Sequence, residues 1–459
     1  MQLNSQLKKN PFNPSLKRME RPTDSIGELE TTGEGVGVAV FDSGIFPHPT
    51  IDDNLVAAVT FGKTSHGPDT DKKGHGTATA AVIAGTGKGS NGQIKGVAPG
   101  AKLINVQVLT EEKGQDIVDG YSSFLGAIDW TIANKDKFNI RVINISGGYS
   151  LIPKQDENGQ ISSFIDPFGT SIKKAIDAGI VVVAAAGNDG PGPGTVLRTP
   201  NHNPNVITVG ALDTKGTQDD FSDDTVAGFS SRGPTLAGDQ KPDLVASGVA
   251  IMSALAPNSE AARNNQAKID NFEKVKNLSD QEVLPYIQSE REAKRLSAES
   301  LSEAVPSILP VLPEKFQAFI ASREPKVQAM MALSTLEKLT AKGAVDTESE
   351  AFKSALQGVR RVLEDKLEPQ PTAGFLDNGE AAFLGWDGTS FSAPIVSGVI
   401  AHMFEANPNL TPAQVKEILT STARPVPNAD PTAVGAGALD ARAAVAKARA
   451  LSENVIAND

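Results

Sequence analysis

Apolar residues along this 459-residue chain fall into two kinds of pattern. Short, nearly unbroken runs of Val, Ile and Ala recur at Val36–Phe41, Leu103–Leu109, Val142–Ile145, Ile180–Ala185 and Val206–Val209. Such runs suit strands buried on both faces. Between them lie stretches with helical character, Ala78–Ala84, Ser122–Asn134 and Thr170–Ala178. Strand–helix alternation predicts an α/β fold built on a doubly wound, mostly parallel sheet. In such sheets, functional groups gather at the carboxyl ends of the strands.

A second regime runs from 254 to 383. Only Gly343, Gly358, Gly374 and Gly379 of the 42 glycines fall there. Phe352, Leu356, Val359 and Leu363 repeat at the spacing of one helix face, as do Met330, Leu333 and Leu336. Ser279-Asp-Gln-Glu282 has the form of a capping box. These features predict a mostly α-helical insertion over 254–383. It divides the α/β part of the chain into 31–253 and 384–459. Residues 1–30 are polar and aperiodic, with Pro11, Pro14 and Pro22, and read as an extended N-terminal arm.

Composition narrows the chemistry. The chain has 43 Lys+Arg against 55 Asp+Glu, a formal charge of −12. That balance argues against nucleic acid and anionic membrane as partners. Cysteine is absent, which removes thiol catalysis, disulfides and Cys-ligated metal. No apolar run is long enough to span a bilayer, and the first thirty residues lack a signal-peptide core. The expectation is a cytoplasmic protein as written. The alternative is a secreted mature form or one exported non-classically.

Three local patterns carry candidate chemistry. In Val38-Ala-Val-Phe-Asp42-Ser-Gly, a buried strand ends in a carboxylate. In Gly74-His75-Gly-Thr77, an imidazole is flanked by glycines that let other groups approach. In Gly388-Thr-Ser390-Phe-Ser-Ala-Pro394, a serine opens an apolar helix, where unpaired N–H groups favour negative charge. Each alone has a plain structural reading as a turn residue, loop histidine or helix cap. Together they supply what a serine nucleophile needs: a base to take its proton and a carboxylate to hold that base. The order Asp…His…Ser is one of three in which this constellation recurs. No Gly-x-Ser-x-Gly occurs, against an α/β-hydrolase.

The chain resembles the subtilisin-like serine proteases, the subtilases. The resemblance rests on Phe41-Asp-Ser-Gly-Ile45, Gly74-His-Gly-Thr77, Gly96-Val-Ala-Pro99, Ile145-Ser-Gly-Gly148, Ala184-Ala-Ala-Gly-Asn188, Phe229-Ser-Ser-Arg-Gly-Pro234, Lys241-Pro-Asp243, Gly388-Thr-Ser-Phe-Ser-Ala-Pro394 and Gly437-Ala-Leu-Asp-Ala441, in the family's order. It implies Asp42, His75 and Ser390 as triad and Asn188 as the oxyanion-hole amide. It also implies Ser146, Gly147, Gly148, Ala185 and Gly187 as substrate-binding residues, and places Arg198 near the rear of the S1 pocket. A serine endopeptidase acting on a peptide or protein substrate follows, with no cofactor needed for its chemistry. The alternative is a catalytically silent or single-partner peptide-binding fold, the insertion serving as docking module. Ser247 stands where the family's Lys-Pro-Asp-x-x-Ala-Pro-Gly carries proline. Thr50 follows His48-Pro49 where many members carry an Asp ligand, and Ser90–Lys95 lies where a calcium loop is common, so a structural calcium stays open. The sequence leaves the oligomeric state unspecified.

Overall fold

The strand that ends in Asp42 lies at the centre of the main sheet. In the computed structural model, which describes residues 20–62, 67–108, 117–155, 161–217, 220–292, 299–367, 369–370, 372–375 and 381–456, this is β1 (Gly37–Asp42), buried along its whole length. The other strands, in chain order, are β2 (Leu55–Thr60), β3 (Lys102–Gln107), β4 (Ile140–Ile145), β5 (Val181–Ala185), β6 (Ile207–Asp213), β7 (Thr225–Val226) and β8 (Leu244–Ser247). Their order is β7-β6-β5-β4-β1-β3-β2, with β8 also paired to β6. Every pairing is parallel except β6–β7. All five predicted strand runs are present. Leu109, the end of one run, lies outside the described residues.

The twofold alternation of side chains along each strand builds two cores. Val38, Val40, Leu103, Val142 and Val183 pack with Ile83, Ile395 and Val399 from the helices α1 (His75–Ala84) and α2 (Thr389–Ala406). Ala39, Phe41, Ile104, Ile143 and Val182 pack on the other face with Phe124, Ile128, Phe168 and Ile172. Each fully buried aliphatic side chain contributes about 1.5–3 kcal/mol relative to exposure. Helices on both faces therefore explain why these strands are mostly apolar on both sides, with exceptions such as Asn105 and Gln107 of β3 buried and hydrogen-bonded.

The chain divides into two compact units, 1–262 with 370–459, and 263–369. The second is helical. Its helices include Asp280–Glu292, Pro325–Ala341 and Glu350–Leu367, around a core containing Val283, Ile287, Leu333, Leu336, Leu356, Val359 and Leu363. Ser279 begins the first of these as read, its N–H donating to Glu282 Oε2 at 2.8 Å. Met330 departs from the expected face and is exposed.

The helical unit is narrower than the 254–383 span suggested by glycine usage. Both ends of that span are strands of the first unit. β9 (Ile251–Ala254), β10 (Thr372–Phe375) and β11 (Ala381–Trp386) form an antiparallel sheet in the order β9-β11-β10. The arm also differs from its reading. Residues 1–19 lie outside the described residues. Residues 20–27 are fixed to the first unit, with Glu20 bridged to Ile251 and Ile26 buried in the core.

Candidate active site

Asp42 is the last residue of β1, at the sheet's carboxyl edge, and is 1 % exposed. His75 opens α1. The turn before it needs Gly74, whose φ is +85° and where an added Cβ would lie 2.6 Å from Ser259 Oγ. His75 Nδ1 stands 2.8 Å from Asp42 Oδ1 and 3.0 Å from Oδ2. An ionised carboxylate only accepts, so the Nδ1 proton faces Asp42 and neutral His75 offers Nε2 as acceptor. The imidazole remains 26 % exposed. Burial pulls its pKa down, but the Asp42 charge and hydrogen bond, helped by Asp71 and opposed by Lys73, raise it above 6.5.

Ser390 lies in the first turn of α2, and the ring of its neighbour Phe391 lies 5.6 Å from the His75 imidazole, centroid to centroid. Ser390 Oγ donates to the Ser146 carbonyl at 2.9 Å. Ser146 returns the contact, its hydroxyl donating to Ser390 O at 2.8 Å. Behind it, Asn144 Nδ2 donates to Ser146 Oγ at 3.0 Å and Asn144 Oδ1 accepts from Ser397 Oγ at 2.9 Å. This buried chain ties the end of β4 to α2.

Asn188 follows β5. Its Oδ1 accepts from Thr389 N at 3.0 Å and Thr389 Oγ1 at 2.9 Å. With the carbonyl oxygen engaged, the amide N–H₂ is the end left to donate beside the helix start. Gly187 N–H donates to Thr389 Oγ1 at 3.2 Å, and Ala185 closes β5 in the buried core.

Ser146, Gly147 and Gly148 leave β4 as a small-residue edge, followed by Tyr149–Ser150. These two pair antiparallel with Arg198–Thr199. The crossing is close, since a Cβ on Gly148 would lie 2.9 Å from Arg198 Cβ. Arg198 is thus beside this edge, but it is not an enclosed cation. Its side chain is 47 % exposed, and Nε faces Asp189 Oδ2 at 3.5 Å.

Sequence reasoning passed over Asp71, a buried carboxylate that accepts from Ser43 Oγ and Gly74 N at 2.8 Å each on Oδ1, and from Thr77 N at 2.8 Å and Thr77 Oγ1 at 2.7 Å on Oδ2. Ser43 N–H in turn donates to Asp42 Oδ1 at 2.7 Å. Asp71 thereby links the start of α1 to the Asp42 turn. Its position four residues before a Gly-flanked histidine was the available signal. Burial raises its pKa, against the pull of its hydrogen bonds.

The loop considered for calcium uses its Thr50 and Ser90 oxygens within the protein. Calcium takes six to eight oxygens, carboxylates among them. Thr50 O accepts from Thr86 N and Oγ1, and Thr50 Oγ1 from Gly87 N. Ser90 Oγ donates to Gly87 O and accepts from Ile94 N. These oxygens are already engaged within the protein. Among the described residues no group of three or more His, Asp or Glu gathers as a metal-ligand set.

At the carboxyl edge of this mostly parallel sheet, the Asp42–His75 contact thus lies beside the helix start that carries Ser390. The subtilase family model matches residues 33–278 and 362–440, more than half of the chain, and the chain belongs to that family. It is 40 % identical over 231 residues to serine protease AprX of Bacillus subtilis (strain 168), covering 50 % of this chain and 49 % of AprX. It is 35 % identical over 227 residues to subtilisin E of the same organism, covering 49 % of each. The chain thus spans about half the length of these curated relatives. Among solved structures, fervidolysin from Fervidobacterium pennivorans superposes with a TM-score of 0.53 at 20 % identity, covering 92 % of this chain and 45 % of that one, which bears on the fold alone. No helix among the described residues is long and apolar enough to cross a membrane.

Proposed function

We propose that this chain is a serine endopeptidase that cleaves peptide bonds through an acyl-enzyme. The observation that carries the reading is the 2.8 Å Asp42–His75 contact beside the helix start that bears Ser390. An extended substrate pairs with the Ser146–Gly148 edge and competes for the Ser146 carbonyl that now holds the Ser390 hydroxyl. The freed hydroxyl turns to His75 Nε2, which takes its proton as Oγ attacks the scissile carbonyl. Asp42 holds the resulting imidazolium. The tetrahedral oxyanion is met by the Asn188 amide and the Ser390 N–H at the positive end of α2. His75 then protonates the leaving amine, and water repeats the sequence in deacylation.

Arg198 biases the residue before the cut towards acidic or polar side chains. Its exposure and its partner Asp189 limit that bias to the scale of a surface ion pair, about 0.2–1 kcal/mol, or a few-fold in rate.

The test is labelling by a fluorophosphonate probe, with the modified peptide mapped by mass spectrometry. Labelling at Ser390, lost in Ser390→Ala without a change in thermal transition, is expected. A Ser390→Ala variant that still cleaves peptide would overturn the reading.

A further inference from the structure

Glu20 is a long acidic side chain in a polar N-terminal stretch, yet it is 2 % exposed. Its carboxylate accepts from Thr214 Oγ1 at 2.6 Å and from the Ser247 hydroxyl. Its backbone is fixed as well. Glu20 N–H donates to Ala250 O at 2.9 Å, and Met252 N–H donates to Glu20 O at 2.8 Å. A buried carboxylate is stable only with such partners, because taking a charge out of water is expensive. The turn that follows is anchored too. Arg21 N and Nε donate to the Asp24 carboxylate at 2.8 and 2.7 Å, and Thr23 O accepts from the N–H groups of Ile26 and Gly27.

The stretch gripped by Glu20, residues 247–252, has a second face. Gly248 O accepts from Gly388 N at 2.9 Å, and Ala250 N–H donates to Asp387 Oδ1 at 2.7 Å. Ile251 pairs with Trp386. Gly248 lies against α2 so closely that a Cβ there would meet Ser392 Oγ at 2.3 Å. Residues 247–252 therefore lie between the N-terminal segment and the turn that launches Ser390. Nothing else in the chemistry uses Glu20. Its partner Ser247 is also the residue that departs from the family's proline.

We infer that Glu20 is a positioning residue for the nucleophile: through Ser247 and the 248–252 backbone it fixes the Asp387–Gly388 turn that sets the Ser390 hydroxyl. A corollary concerns N-terminal trimming. A cut beyond residue 20 removes these Glu20 contacts and costs catalysis. This inference rests on the serine-protease reading.

The experiment compares the full chain with Glu20→Ala, Glu20→Gln and a chain lacking residues 2–26. The readouts are the rate of Ser390 labelling by a fluorophosphonate, kcat and KM on a small chromogenic peptide, and the thermal transition. Assays are run well below each variant's own transition. Glu20→Ala and the truncation should label and turn over at least tenfold more slowly with KM little changed. Glu20→Gln, which keeps an acceptor for one hydroxyl, should recover most of the rate. Should Glu20→Ala fail to fold, Ser247→Ala and Thr214→Val remove one partner each, and the first should slow labelling more than the second. Wild-type labelling and kcat in a folded Glu20→Ala, whatever its thermal transition, would overturn the inference and leave the protease reading standing. Absence of labelling in the full chain itself would overturn both.

Discussion

Replacing Asp71 by Asn tests how the Asp42–His75 pair is built. All four partners of this carboxylate donate to it, two on each oxygen, which favours its charged form. An amide keeps one accepting oxygen and turns an N–H₂ towards a backbone N–H, which cannot accept, and a hydroxyl, which can rotate to do so. One hydrogen bond to a charged group is lost, a gross cost of about 1.5–3 kcal/mol. Burial, the main influence on Asp71, disfavours its charge, and removing that charge returns part of the cost. The net loss should be about 1–2 kcal/mol, lowering the thermal transition by roughly 1–3 °C in a unit of this size. The second effect is electrostatic. Asp71 is one of the two acidic groups that lift the His75 pKa above 6.5 despite burial. A raised imidazole pKa adds stability below the unfolded value of 6.5, and that stability is lost as pH rises through the folded value. Activity runs the other way, because only neutral His75 accepts the serine proton. In the wild type, the acid limb of kcat/KM should therefore lie above pH 6.5. In Asp71→Asn it should move to lower pH. The assay is a pH–rate profile on a small chromogenic peptide at a temperature where both forms are folded. A lowered transition with an unmoved acid limb would refute the electrostatic part. An unmoved transition would refute the four-donor account.

Three further outcomes are expected. Asn188→Ala should lower kcat by about 10²–10³ with little change in KM, read from steady-state kinetics, because one preorganised oxyanion donor is lost. Arg198→Ala should weaken cleavage after acidic residues a few-fold in a peptide-library profile, on the scale of an exposed ion pair. A profile dominated by Phe or Leu and unchanged in the variant would dismiss that role. Replacing 263–369 by a Gly/Ser linker should leave a folded unit that cleaves small peptides. Replacing 258–378 should not, because it removes β10 and the Glu260 and Ala261 N–H groups that donate to Lys72 O and Lys73 O beside His75.

What could be read from the sequence follows from where the physics is local. The runs that became β1, β3, β4, β5 and β6 were legible because strands covered by helices on both faces admit few polar residues. The Asp42–His75 and Asn188–Thr389 contacts join short patterns of small residues at strand ends and helix starts, which is where the sequence marks them. The limits of the helical unit were misread for an equally physical reason. Glycine scarcity marks neither helix nor insertion, and β9, β10 and β11 need few glycines to pair. Met330 shares its spacing with buried Leu333 and Leu336, yet a repeat of three drifts around a helix of 3.6 residues per turn and carries Met330 off the buried face.

The remaining misreadings concern polar residues whose partners are distant in sequence. Polarity in residues 20–30 suggests solvent, and nothing local reveals that Glu20 meets hydroxyls 194 and 227 positions away. Asp71 and Asn144 likewise each have one partner far along the chain, Ser43 for the first and Ser397 for the second. The departures from the family pattern are of the same kind. Thr50 in place of an acidic ligand is coupled to Thr86 and Gly87, whose N–H groups take up its oxygens. Ser247 in place of proline supplies a hydroxyl that Glu20 accepts. In both cases a residue that breaks the motif has a partner elsewhere in the chain, so the substitution and its partner belong to one arrangement. Restoring proline at 247 would then not return the site to its family form, because it would remove the donor and leave the Glu20 carboxylate buried with one hydroxyl fewer.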